Sequence, residues 1–161
     1  MIFSRESKAA GFTLIEMVVV VAIVGILASA AIPLVRFGEH RLKERELHHS
    51  LREIRTAIDA YRKAVDEGRV TRKMDASGYP PDLDALTNGV VDTRSAEGRK
   101  IYFLRRIPRD PFAPPETPQN EMWGLRSYQS PPEEPKAGDD VFDVYSLNSG
   151  KGSNGVPYRG W

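Results

Sequence analysis

The sequence predicts an α+β protein: one long N-terminal α-helix, with a transmembrane half and an amphipathic half, packed on a small antiparallel β-sheet. Three observations carry this. An apolar run, GFTLIEMVVVVAIVGILASAAIP, extends from Gly11 to Pro33. Beyond it, Leu47, Leu51, Ile54, Ile58, Tyr61 and Val65 recur at alternating spacings of four and three, the period of one helix face. After Gly68 proline and glycine become frequent, and two segments, WGLRSYQ and DVFDVYSL, mix aromatic and branched residues with polar ones as strands do.

Residues 1–11, MIFSRESKAAG, are too short and too polar to fold alone and end in small residues. They read as a cytoplasmic leader, because Arg5 and Lys8 favour retention on that side. Arg36 and Arg41 on the other flank oppose that bias.

Residues 12–35 form the transmembrane or assembly segment, since a spanning helix needs roughly 20 apolar residues. The run is too long for an ordinary secretory signal, and no basic cluster stands directly before it. Glu16 is its one carboxylate. A charge inside a membrane segment is costly and marks function more often than packing. Pro33, where the chain leaves the apolar zone, predicts a kink, because proline lacks an N–H and crowds the preceding turn.

Residues 36–67 continue the helix in water. Ala57 and Ala64 widen the apolar stripe, and the opposite face carries Arg45, Glu46, Arg52, Glu53, Arg55, Asp59, Arg62, Lys63 and Asp66. The two halves together predict about 55 helical residues, or roughly 80 Å, with Gly68 as the stop.

Residues 68–161 form the globular domain with its irregular C-terminal tail. SGYPPDLDALTNGV predicts a turn and one short helix starting near Pro81 or Asp82. KIYFLRRIP is strand or extended chain, RDPFAPPETPQNE a proline-rich connection, and SPPEEPKAGDD a loop between the two strand candidates.

The chain has 161 residues, with 23 basic and 22 acidic side chains. Without the leader it is formally neutral, so nucleic acid is not expected as a partner. There is no cysteine, which excludes disulfides and thiolate metal sites.

Catalytic patterns are lacking as well. No carboxylate pair suggests acid–base chemistry, Ser127, Ser130 and Ser146 have no nucleophile-elbow context, and GKGSNG lacks the P-loop spacing. Glu44 and His48 share a helix face, but two ligands make no zinc site, so His40, His48 and His49 are expected as solvated helix residues. The chain is expected not to be an enzyme.

These residues together resemble the type IV pilin superfamily, most closely its major pseudopilins of type II secretion. The N-terminal match is a short leader ending in Gly11, then Phe12, then Glu16 at the fifth position from Phe12, then a long apolar helix with Pro33. AIDAYRKAVDEG, GYPPDLDAL, FLRRIPRDPF, WGLRSY and DVFDVYSLNSGKGSNGVPYRGW extend the likeness over nearly the whole chain after the leader. The resemblance implies cleavage between Gly11 and Phe12 by a prepilin peptidase and N-methylation of Phe12. It implies assembly through Glu16 into a helical filament with copies of itself and minor pseudopilins, on an inner-membrane platform. It places the chain in the bacterial inner membrane as a single-pass protein with a periplasmic C-terminal domain, and in a periplasmic pseudopilus once assembled. A type IV pilus subunit for adhesion, motility or DNA uptake is the alternative.

The resemblance also implies calcium, held by aspartates after the tyrosine-serine-leucine segment. Here the loop from Asn148 to Pro157 contains no acid, and Asp139, Asp140 and Asp143 lie before it. Calcium takes six to eight oxygens and gains affinity with ligand charge. No cofactor is therefore expected. Leu147, Asn148, Ser153 and Asn154 are the candidate donors should calcium bind, and Val156, Tyr158 and Trp161 are expected to close the tail by burial instead.

Overall fold

A computed structural model describes residues 11–161, with the side chains at 30–37 and 120 outside the described set. The leader ahead of Gly11 and the expected kink at Pro33 therefore lie outside the described residues. The chain divides into two compact units, Met1–His40 and Arg41–Trp161.

Helix α1 spans Leu14–Asp66. Its first turn is closed by Thr13, whose Oγ1 accepts the Glu16 N–H at 3.3 Å. Among the described residues no helix is long and apolar enough to cross a membrane. A crossing needs about 20 apolar residues. Within the expected span of 12–35 the described side chains end at Ser29, and those of 30–35 fall outside the described set.

In the second unit the periodic stripe is the core. Leu47, Leu51, Ile54, Ala57, Ile58, Tyr61 and Ala64 are buried and Val65 packs at their margin, joined by Leu83, Leu86, Leu104, Ile107, Met122, Trp123, Val141 and Val144 from the domain. The helix ends as its sequence predicts. Gly68 has φ +70°, the Gly68 N–H donates to the Val65 carbonyl, and the Arg69 N–H donates to the Ala64 carbonyl. This is the Schellman pattern, in which a left-handed glycine lets the chain fold back onto the last carbonyls.

Helix α2, Asp84–Asn88, starts where expected, with Asp82 Oδ1 accepting the Ala85 N–H at 2.7 Å. Four short strands follow: β1 Val90–Val91, β2 Lys100–Ile101, β3 Trp123–Arg126 and β4 Asp143–Ser146. They make two separate two-stranded antiparallel sheets, β1 with β2 and β3 with β4, where the sequence suggested one. The difference lies in KIYFLRRIP. Only its first two residues pair, because the Phe103 and Leu104 N–H groups turn to the Leu86 carbonyl and tie this segment to α2.

In β3–β4 Trp123 faces Ser146 and Arg126 faces Asp143. Gly124 sits opposite Tyr145, whose ring occupies the place a side chain would take, 2.2 Å from an added Cβ. The Trp123 indole N–H donates to the Pro108 carbonyl at 3.0 Å, joining the end of KIYFLRRIP to the sheet.

Candidate functional site

The N-terminal residues singled out by sequence lie together at the start of α1. Phe12 is 76% exposed, and Leu14, Ile15, Val18, Val21 and Ile26 are exposed with it. Apolar side chains surround this part of the helix on every side, a pattern that needs a nonaqueous neighbour, lipid or protein. Glu16 stands in the first turn at the third helical position. Thr13 and Glu16 thus have the T-x-x-E spacing of a capping box, and the observed hydrogen bond is the threonine half of it. That pattern was present in the sequence, and its spacing would let the Glu16 carboxylate serve the helix start beside any role in assembly. A carboxylate there also faces the positive end of the helix dipole.

A second cluster forms under the C-terminal loop. Glu44 precedes Leu47 by three residues on the buried stripe and is only 6% exposed. Its carboxylate accepts the Ser153 N–H at 2.6 Å on Oε1 and the Ser153 hydroxyl at 2.7 Å on Oε2. Tyr158 Oη donates to Oε1 at 3.3 Å. Sequence reasoning paired Glu44 with His48 and missed this contact. The available signal was a carboxylate continuing an apolar stripe.

The loop is also bonded to itself. Asn148 Oδ1 accepts the Gly150 N–H at 2.8 Å, and Asn154 Oδ1 accepts the Val156 N–H at 3.0 Å. The Gly152 N–H reaches the Val156 carbonyl at 2.8 Å. Leu147 is exposed. The acids before the loop face elsewhere. Asp140 accepts the Tyr128 N–H at 2.8 Å, and Asp143 pairs with Arg55 at 2.7 Å and Arg126 at 3.3 Å. Among the described residues no three His, Asp or Glu side chains are grouped to hold a metal ion.

Burial of the tail is only partly as expected. Tyr158 is buried and stacks on Phe112 with ring centroids 4.4 Å apart, whereas Val156 remains 40% exposed. Trp161 is half-buried and lies flat on His48, centroids 4.0 Å apart, and its carbonyl accepts from Arg55 at 2.7 Å. His48 is thus a packing partner as well as a surface residue. Beneath the loop, buried Asp110 accepts the Ser146 hydroxyl at 2.5 Å and the Phe112 N–H at 2.8 Å. These bonds lock the RDPF turn to the end of β4.

Burial, with the nearby Glu44 charge and hydrogen bond, pushes the Tyr158 phenol up to about 12 from its usual 10.0. The folded chain therefore keeps a proton that the unfolded chain releases near pH 10. The stability linked to it is intact below pH 10 and is lost as pH rises toward 12. Melts of wild type and Tyr158→Phe between pH 9 and 12 test this. Wild type should lose on the order of 2 kcal/mol more than the variant across that range.

The Prokaryotic N-terminal methylation motif matches residues 7–32. The chain is similar to Type II secretion system core protein G of Pseudomonas aeruginosa, 31% identical over 115 residues, covering 69% of this chain and 73% of the relative. The protein of the same name from Vibrio cholerae is 30% identical, with 67% of this chain and 68% of the relative covered. That from Aeromonas hydrophila is 29% identical, with 69% and 73% covered. No solved structure matches the chain at a significant level.

Proposed function

Because this chain belongs to the family of type II secretion system core protein G, we infer that it is a structural subunit of a pseudopilus that serves type II protein secretion. One observation carries the reading: the 115-residue likeness reaches far past the methylation motif at 7–32 into the globular domain. A shared N-terminal motif alone would fit any filament of the superfamily.

The finer steps follow from residue chemistry. Gly11 offers a peptidase an unobstructed backbone, so cleavage before Phe12 gives a new amino terminus that is then N-methylated. The chain waits in the inner membrane through its apolar helix, with the domain from Arg41 onward in the periplasm. The apolar flank of α1 then exchanges lipid for the same flank of other copies. Minor pseudopilins, the inner-membrane platform and the prepilin peptidase are the further partners of this route. The role is structural, and the polar side chains of the domain serve to lock its loops to α1.

The test combines processing with phenotype. Intact-mass measurement of membrane-extracted protein should give a chain beginning at Phe12 and heavier by one methyl group. Deleting the gene should stop secretion of type II substrates and remove sheared filaments, both restored by the wild-type copy. A full-length chain as the only species in the native host, or unchanged secretion in the deletion strain, would overturn the reading.

A further inference from the structure

A buried charge lies under the C-terminal loop with its polar partners aimed at it. Glu44 cannot stay ionised at such depth without hydrogen bonds. The Ser153 N–H, the Ser153 hydroxyl and the Tyr158 hydroxyl supply them at 2.6, 2.7 and 3.3 Å. Bonds to an ionised acceptor are the strong ones, about twice a neutral pair.

We propose that Glu44 closes this loop as a metal-free carboxylate clamp, in the place where the resemblance to pseudopilins implies a calcium ion. The two designs have opposite polarity. A cation gathers loops whose oxygens converge on it. Here the loop turns N–H and O–H donors inward, and the anion comes from α1. Several of the oxygens that calcium would draw on are engaged: those of Asn148 and Asn154 accept loop N–H groups, the Ser153 hydroxyl donates to Glu44, and Asp143 is paired with two arginines. The hollow beside the clamp has the guanidinium groups of Arg41 and Arg45 in its wall against the one carboxylate of Glu44, a balance that disfavours a divalent cation. The residues present therefore do not fit calcium, which asks for six to eight oxygens.

The calcium comparison rests on the family reading, but the clamp itself holds or fails in the purified chain, whatever filament that chain joins. Hydrogen exchange read by mass spectrometry on the full chain in detergent tests it, with millimolar calcium or with chelator. Peptides covering 148–158 report the loop, and peptides covering 51–64 report the core. In wild type the loop should exchange at the same rate in calcium and in chelator. Glu44→Gln, which cannot offer a carboxylate to Ser153, should speed loop exchange roughly tenfold with the core unchanged.

Should Glu44→Gln also loosen the core, Ser153→Ala decides, since it removes only the hydroxyl bond and should speed loop exchange by a few-fold. Two results would overturn the clamp. One is loop exchange in wild type that rises on chelation and falls with calcium. The other is loop exchange unchanged in Glu44→Gln, or in Ser153→Ala where that variant decides.

Discussion

Glu16→Ala is expected to leave the protein at normal abundance in the membrane while nearly abolishing sheared filaments and secretion. In the proposed route, cleavage at Gly11 would free the Phe12 amino group, which would carry a positive charge. Inside a bundle of apolar helices neither that charge nor the Glu16 carboxylate stays unpaired cheaply. An incoming subunit that sets its amino group against the carboxylate of a neighbour satisfies both and fixes the register of the helices. Removing one partner of such a buried pair typically costs about 3–5 kcal/mol, because the other charge remains. At 1.4 kcal/mol per tenfold, subunit addition weakens by roughly two to three and a half orders of magnitude.

Because Glu16 also follows Thr13 at the capping-box spacing, a second variant separates the two roles. Glu16→Gln keeps the capacity for the box, which accepts glutamate or glutamine, and loses the charge. Loss of filaments in both variants assigns assembly to the charge. Filaments restored in Glu16→Gln would assign the alanine defect to the helix start instead.

The elements with a regular period were legible in the sequence. The spacing from Leu47 to Val65 marked the buried face of α1 residue by residue, Gly68 marked its end, and Asp82 marked the start of α2. Each rests on local physics: helix periodicity, a left-handed glycine, a capping carboxylate. The strands were legible as pairs but not as sheets, since nothing in KIYFLRRIP announces that Phe103 and Leu104 will bond to Leu86.

The candidate N-terminal site could be put forward from sequence because its residues are consecutive, Gly11 to Glu16, and the structure adds the Thr13 bond at the start of α1. The Glu44 clamp was not, because its members are over a hundred positions apart and converge only when the tail folds back on α1. A charged residue in phase with an apolar stripe is the trace such contacts leave. Arg55 was placed on the solvent face by the same period, yet it reaches Asp143 and the Trp161 carbonyl. Long side chains at the edge of a face escape a rule built on Cβ direction.

Leu51→Ala and Ile58→Ala should each destabilise the folded domain by about 2–5 kcal/mol, the cost of removing a large aliphatic group from a closed core. Leu51 is 1% exposed and Ile58 0%, and both belong to the cluster that joins α1 to Leu86, Leu104, Ile107 and Val144. The short strands offer few ladder bonds, so the domain depends on this packing more than a larger sheet would. A domain without disulfides has little else to absorb the loss. The control is Arg52→Ala, one residue from Leu51 but exposed, which should stay within about 0.5 kcal/mol of wild type. Thermal and urea melts of the full chain in detergent, followed by tryptophan fluorescence, measure all three, because Trp123 is buried in the same cluster. If Leu51→Ala and Ile58→Ala melted like Arg52→Ala, α1 would not be held to the domain by this stripe.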